Sequence, residues 1–312
     1  MKCPACRKNH QYKNGMKCGC GYRFALDPKK DGFADGKILA AVDRASEEGV
    51  RYFTKRQFVT AMYRKKPSVG MLIFGVVLIG LSAVVFLEPE AIPVCLFMVS
   101  IGMFLITMYF ARKAVDVAKC LRGLSQYEAA KGRFEYLLRD DHPLIQPPPE
   151  CDEDDIYDYG VEGILIVDSD VMVDFLVMNQ LHSANRVVVV SETGYPAYIV
   201  PRVNRILDES PSVPIYALHG AEDDFKDSRM VDALQASSCL DCSGREIIDL
   251  GISQADLDRL PNLRRFKEEG HVPVDYLQFN KPAGGLTQML GSGLVFSDII
   301  GRSEGTAGGD FG

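Results

Sequence analysis

The sequence predicts an α/β protein with three parts: a small cysteine-rich module, a two-helix transmembrane hairpin and a carboxyl-terminal domain built on a parallel sheet. Two close pairs of cysteines lie within the first 20 residues, and two uncharged apolar runs follow at 67–87 and 91–111. From residue 160 onward, short apolar runs alternate with helical patterns, which is the order that parallel sheets require. The chain has 312 residues, enough for such a composite, and its net charge of −7 argues against a surface that binds nucleic acid everywhere.

The first element, residues 1–26, is predicted to fold around a metal ion. Cys3 and Cys6 form one pair of cysteines, and Cys18 and Cys20 form the other. Zinc takes four ligands in tetrahedral geometry, and two tight turns that each carry two thiolates can supply them. A module of this size has too few apolar side chains to fold without a metal or a disulfide.

The same stretch resembles a zinc ribbon of the kind found at the amino terminus of many bacterial membrane proteins. The resemblance implies a closed, structural zinc site with Cys3, Cys6, Cys18 and Cys20 as ligands, and His10 is an alternative to one of the cysteines. The basic residues of the module either contact nucleic acid or solvate a small domain; they are Arg7, Lys8, Lys13, Lys17 and Arg23.

Residues 67–111 are predicted to form a transmembrane hairpin. The two apolar runs are separated only by Glu88, Pro89 and Glu90, and a helix of about 20 residues spans roughly 30 Å, the thickness of the hydrocarbon layer. Lys and Arg residues precede the first run and follow the second, whereas the connecting turn carries only acids. The positive-inside rule then places both termini in the cytoplasm, with the hairpin in the inner membrane and in contact with membrane lipid.

Linking segments are expected on both sides of the hairpin. A helical linker is predicted for 27–66, where Thr54 and Gln57 match a capping box at the start of a helix. Residues 112–146 are predicted to form a helical stalk, and 147–159 an extended linker that begins with three prolines and continues with an acidic run. The glycine-rich tail at 282–312 is expected to be disordered.

Residues 160–281 are predicted to form the α/β domain. Three apolar runs read as buried strands and two stretches between them read as helices, with strands at 163–167, 186–190 and 214–218 and helices at 171–181 and 199–209. Ligands of parallel sheets gather at the carboxyl ends of the strands. Here those ends carry Asp168, Asp170 and the segment 219–224.

Several segments in this domain resemble a Toprim domain, in the form found in the topoisomerase VI A subunit and its meiotic relatives; they are 164–168, 192–196, 214–218 and 250–257. The resemblance implies a magnesium site formed by a carboxylate after the first strand and an Asp-x-Asp after the third. Asp168 or Asp170 stands for the first carboxylate, but the third strand ends in His219-Gly220-Ala221, so both aspartates of the second motif are replaced. Glu222 and Asp224 are the nearby carboxylates that would complete a rearranged site. The candidate catalytic residues are therefore Asp168, Asp170, Glu222 and Asp224.

Three functions follow from these features. The first is a non-enzymatic binding or assembly module at the membrane, with a structural zinc ribbon, a degenerate Toprim-like domain and a cytoplasmic protein partner. The alternative is a magnesium-dependent nuclease or phosphotransfer enzyme that acts on nucleic acid at the membrane. The third is a redox sensor that uses the closely spaced Cys239 and Cys242.

Overall fold

The structure of the chain is a computed structural model. It describes residues 1–63, 74, 76–82, 96–104, 115–139, 160–222, 229–259, 266, 268, 271–276 and 290. The chain divides into two compact units, one formed by Met1–Tyr63 with Asp116–Phe311 and the other by Arg64–Val115 with Gly312. The predicted linker at 147–159, the candidate Asp224 and most of the predicted tail at 282–312 lie outside the described residues.

The predicted transmembrane hairpin at 67–111 is wrong where the structure describes it. In the second unit the structure describes helical residues at 74, 76–82 and 96–104. Among the described residues, no helix combines the length and the apolar character that a crossing of the bilayer requires. The predicted inner-membrane localisation with both termini in the cytoplasm depended on that hairpin and is corrected with it, because apolar composition alone had been taken as sufficient for a span.

The first unit contains the named elements of the fold. Its helices are α1 (Asp35–Ala45), α2 (Lys55–Tyr63), α3 (Val117–Lys131), α4 (Asp170–Met178), α5 (Leu181–Ala184), α6 (Val200–Glu209), α7 (Arg229–Gln235) and α8 (Gln254–Arg259). Its strands are β1 (Gly163–Val167), β2 (Val187–Ser191), β3 (Ile215–Leu218), β4 (Ala221–Glu222), β5 (Ile247–Asp249) and β6 (His271–Val272). Short 3-10 turns cover Tyr12–Asn14 and Val274–Tyr276.

The predicted parallel α/β sheet is confirmed. Four strands pair in the order β2-β1-β3-β5, and all three pairings are parallel. β1, β2 and β3 are buried along their whole length, as expected for apolar strands covered on both faces. The last residue of β1, Val167, is in register with Ser191 of β2 and Leu218 of β3. The carboxyl ends of these three strands therefore lie side by side.

Helices cover the two faces of the sheet. Ile164 and Ile166 share a buried cluster with α6 and α7, to which Val203, Leu207 and Leu234 contribute. α4 packs on β1 and β2. β2, which follows β1 in the chain, pairs on one side of β1, and the chain then crosses to place β3 on the other side. The strand order therefore reverses between β1 and β3. Ligands of open α/β sheets bind in the crevice at such a switch point.

α2 connects the amino-terminal region to the carboxyl edge of the sheet. Its start is the predicted capping box: the backbone amide of Gln57 donates to Thr54 Oγ1 at 3.2 Å, and that of Thr54 donates to Gln57 Oε1 at 3.1 Å. α2 packs against α1 and against the turn Val274–Tyr276. Next to it, Phe53 forms a parallel bridge with Leu137. Within the segment predicted as a stalk, α3 ends at Lys131 and is followed by Gly132, whose φ of +104° suits glycine.

Candidate functional site

Four cysteines at the amino terminus form a cluster that could hold a metal ion. Their sulfurs all lie within 4.8 Å of one another. Cys3 Sγ lies 3.7 Å from Cys20 Sγ, and Cys6 Sγ lies 3.7 Å from Cys18 Sγ. Tetrahedral zinc with Zn–S bonds of about 2.3 Å holds its sulfurs about 3.8 Å apart. The spacing of the sulfurs therefore fits such an ion, and it is far from the roughly 2 Å of a disulfide bond.

Two tight turns bring these cysteines together. In the first turn, the amide of Arg7 donates to the carbonyl of Cys3 at 2.8 Å. In the second turn, the amide of Gly21 donates to the carbonyl of Cys18 at 2.9 Å. Buried Phe24 supports the turns by packing edge-on against Tyr22. His10, the alternative ligand, lies outside the cysteine cluster, and its Nε2 is 2.8 Å from the carbonyl oxygen of Gly15.

The hydrogen bonds around the sulfurs favour a shared cation. Burial raises the pKa of the Cys3 thiol, but backbone amides of Cys6 and Ala5 that point at its sulfur outweigh this effect and lower the pKa to about 7. The backbone amide of Lys8 favours the Cys6 thiolate, yet burial and the three other sulfurs together raise the pKa of Cys6 to about 11. Four thiolates this close repel one another, and a divalent ion removes that repulsion.

The second candidate site is the crevice between the ends of β1 and β3. Asp168 follows β1, and its Oδ2 accepts a hydrogen bond of 2.9 Å from the amide of Gly220 after β3. Burial raises the pKa of the Asp168 carboxyl above its ordinary value, while the Gly220 amide and the charges of His219 and Arg56 act in the opposite direction. Asp168 thus lies where the sequence predicted it, at the carboxyl end of β1, and it faces hydrogen-bond donors and positive charges.

His219 takes the place of the first aspartate of the expected motif, and both of its ring nitrogens face acceptors. Nδ1 lies 2.7 Å from the carbonyl oxygen of Gly220, and Nε2 lies 3.0 Å from Asp249 Oδ1. Burial lowers the pKa of His219, but the contacts with Asp249 and Gly220 outweigh it, so the pKa is raised. Only the imidazolium can donate at both nitrogens. The geometry therefore favours a positive charge at the end of β3.

The acid paired with His219 is held at the end of β5. Asp249 Oδ1 also accepts from the amide of Gly251 at 2.8 Å. Burial raises the pKa of Asp249, and the bond to His219 and the Gly251 amide more than reverse this, so the pKa is lowered. A side chain at Gly251 would overlap the His219 ring. The ring, the acid and the glycine therefore form one closely fitted set.

Arg56 brings a second cation to the same edge from α2. Its Nε and one terminal nitrogen lie 3.1 and 3.0 Å from Glu268 Oε2, and the other terminal nitrogen lies 3.2 Å from Asp275 Oδ1. Burial raises the pKa of Asp275 to about 6, although the charge of Arg56 lowers it. The hydroxyl of Tyr276 donates to Glu268 as well. Arg56 is thus the centre of a partly buried ion-pair network.

No sequence motif indicated Arg56, Glu268 or Asp275. The Thr54–Gln57 box located the start of α2 but not the surface that α2 faces, and the acids lie more than 200 residues further along the chain. A buried acid in the apolar segment 272–276 was the only available signal.

Asp170 is the other candidate carboxylate whose side chain the structure describes, and it does not join Asp168 in a group that could hold a metal ion. Asp170 begins α4, where its Oδ1 accepts from Thr193 Oγ1 at 2.9 Å. Glu222 belongs to β4 and is in register with His271 of β6. Among the described residues, the four cysteines are the only group of His, Cys, Asp or Glu side chains close enough together to hold a metal ion.

A cavity of about 450 Å³ lies beyond the end of β2, beside Asp170's partner Thr193. It is lined by Glu192, Thr193, Ala233, Leu234, Ala236, Ser237 and Ser238. None of the described candidate carboxylates is part of its wall, so the cavity and the crevice at Asp168 are separate features.

Cys239 and Cys242 are both free thiols. Cys242 is fully buried, and burial raises its pKa to about 11. A thiol with so high a pKa forms little of the thiolate that reacts in redox exchange. The structure therefore offers no support for the redox-sensor hypothesis at Cys242.

Comparisons of the chain with models of protein families, with curated proteins and with solved structures find no match. The resemblance to a Toprim domain and to a zinc ribbon stays a prediction from the residues named above.

Proposed function

We propose that this protein is a non-enzymatic binding and assembly module, in which a structural zinc ion shapes the amino-terminal region and a Toprim-like domain has lost its metal chemistry. One observation carries the proposal: the crevice between β1 and β3 is neutralised by the protein's own cations. Asp168 faces the Gly220 amide and the charges of His219 and Arg56.

A magnesium ion would find few free oxygens in this crevice. Magnesium takes six oxygen ligands in near-octahedral geometry, usually including one or two carboxylates. Asp249 already accepts from His219 and from Gly251, and Asp275 already accepts from Arg56. An imidazolium and a guanidinium near Asp168 also repel a divalent cation. The arrangement supports a self-contained polar network in place of a metal centre.

Zinc is the ion that the cysteine cluster fits best. Cys3, Cys6, Cys18 and Cys20 would hold it through four thiolates, and such a closed site leaves no position for a substrate or a reactive water. When bound, the ion supplies folding free energy to a module that has few apolar contacts. The cysteines themselves fix the two turns relative to each other, which gives the module a defined surface for contact with a partner.

The alternative function is a magnesium-dependent nuclease or phosphotransfer enzyme of the Toprim type. It is favoured by the position of Asp168 at the switch point of the strand order, where ligands of such sheets bind. In that case Asp168 would act with Asp170, Glu222 and Asp224, and the network around His219 would have to open.

Turnover and metal content of the full-length chain separate the two functions. We expect about one zinc ion per chain, lost in Cys18→Ser and retained in the control Cys239→Ser, whose sulfur lies outside the cluster. With DNA, RNA or nucleotides and either Mg²⁺ or Mn²⁺, we expect no turnover. Turnover that disappears in Asp168→Asn would instead establish the enzyme, because asparagine keeps an acceptor for the Gly220 amide but removes the charge.

A further inference from the structure

We infer that the metal-binding module at residues 1–30 binds the phosphate backbone of a nucleic acid. The inference extends the proposed function and rests on that part of it in which the cysteines hold a metal ion. It starts from a charge asymmetry: the first 30 residues carry eight Lys or Arg residues and one Asp, in a chain whose net charge is −7. Four thiolates around a divalent ion carry a net charge of only about −2, so the module stays basic.

Most of these basic side chains are exposed and unpaired. The single acid of the module, Asp27, accepts from the Tyr12 hydroxyl and from the amide of Lys29, and the charge of Lys30 acts on it. The six other bases are exposed and form no ion pair with a described carboxylate; they are Lys2, Arg7, Lys8, Lys13, Lys17 and Arg23. A folded surface with this excess of one charge attracts polyanions.

The bases are arranged around the cysteine turns. Lys2 precedes the first turn, and Arg7 and Lys8 follow it, while Lys17 and Arg23 flank the second turn. Because the four sulfurs lie within 4.8 Å of one another, the two turns that carry these bases are adjacent. A bound metal ion would fix their spacing.

Two features of this surface are unfavourable for the isolated protein. Lys17 and Arg23 are directly opposite each other in an antiparallel bridge, where like charges are destabilising. Arg7 has a φ of +58°, in the left-handed region that a non-glycine residue adopts only at a free-energy cost. A phosphate backbone between the two turns would offset the repulsion of the first pair and accept hydrogen bonds from the Arg7 guanidinium.

The test measures binding of the zinc-loaded, full-length chain to fluorescein-labelled 20-mers: duplex DNA, single-stranded DNA and single-stranded RNA. We expect sequence-independent binding that weakens with salt, and the relative affinities identify the source of the phosphates. In Lys17→Gln/Arg23→Gln, two lost phosphate contacts reduce the slope of log Kd against log salt by about 1.8 on duplex or about 1.4 on single strands. The corresponding loss of affinity at 0.1 M salt is about 25-fold on single strands and about 60-fold on duplex.

The matched control is Arg51→Gln/Arg186→Gln, which removes the same charge from two arginines that already have carboxylate partners, Glu47 and Glu162. This control should leave the Kd for nucleic acid and its dependence on salt unchanged. An equal loss in the control, the absence of salt-dependent binding to all three probes, or tighter binding of labelled polyglutamate than of nucleic acid would overturn the inference. Zinc content is measured for each variant, and if Lys17→Gln/Arg23→Gln fails to retain zinc, Lys8→Gln/Lys13→Gln carries the same test. A chain that retains zinc and shows no turnover but binds no nucleic acid would refute this inference alone.

Discussion

Replacement of Arg56 by methionine tests whether the ion-pair network at the sheet edge stabilises the fold. Methionine retains much of the apolar stem of arginine but leaves Glu268 and Asp275 without the guanidinium. The Asp275 side chain is only 6% exposed, so its carboxyl would become a buried group with no cationic partner. Such a group avoids ionisation by taking up a proton.

Protonation sets an upper limit on the loss of stability. A carboxyl with an ordinary pKa of 3.8 that stays protonated in the folded state at pH 7 disfavours folding by about 4 kcal/mol. In the wild type, where the pKa of Asp275 is about 6, this carboxyl already disfavours folding by about 3 kcal/mol. Loss of Arg56 can therefore add only about 1 kcal/mol through Asp275. The partly exposed pair with Glu268 adds about 1 kcal/mol, so we expect a total of about 2 kcal/mol at pH 7.

The pH dependence of this loss separates the network from a general effect of the substitution. Because the folded pKa of Asp275 is raised, its contribution to stability is complete below pH 3.8 and is lost as the pH rises through about 6. At pH 5 the carboxyl is already protonated in the folded wild type, so Arg56→Met should cost only the Glu268 share of about 1 kcal/mol.

Urea unfolding followed by far-ultraviolet circular dichroism at pH 5 and pH 7 measures both values. Arg51→Met is the control, since Arg51 pairs with Glu47 on the surface and should lose less than about 1 kcal/mol. Equal destabilisation of Arg56→Met at the two pH values, or a loss no larger than that of the control, would refute the reasoning.

Three further predictions concern the same edge and the cysteine module. Because the pKa of His219 is raised, its contribution to stability is complete below its ordinary pKa of 6.5 and is lost as the pH rises through the raised value. The melting temperature of the wild type should therefore fall over that pH range, and the melting temperature of His219→Gln should lack this fall. Gly220→Ala should destabilise the fold by roughly 3 kcal/mol in chemical unfolding, because the new methyl group would overlap the backbone of Val272. The control is Gly36→Ala in helix α1, where no such overlap arises, and it should be neutral or slightly stabilising. Removal of the metal with a chelator should accelerate hydrogen exchange of the amides in residues 1–30 and leave those of β1 and β3 protected, as mass spectrometry can measure.

The sheet could be predicted because its information is local. Residues 164–167 of β1 and 187–190 of β2 are uninterrupted apolar runs, which are typical of strands covered on both faces. Asp168 ends the first run, so its place at the carboxyl edge of the sheet follows from the period and direction of the strand alone. The cysteine cluster was equally accessible, since spacing along the chain limits which thiolates can meet.

The network around Arg56 could not be predicted, because it depends on the packing of distant segments. α2 is an amphipathic helix with two basic residues, and nothing in the local sequence indicates that Arg56 faces the carboxyl edge of a sheet. The hairpin at 67–111 was predicted from hydropathy alone, and no helix described there is both long and apolar enough to cross a bilayer.

The discontinuous first unit has a consequence for how this chain tolerates change. The strand-like pairing of Phe53 with Leu137 joins chain segments that lie on either side of 64–115, and α2 packs directly against α3. The chain thus leaves a folded body and re-enters it at positions that are already fastened together. An insertion or an excision between residues 63 and 116 would therefore leave these pairings of the first unit in place.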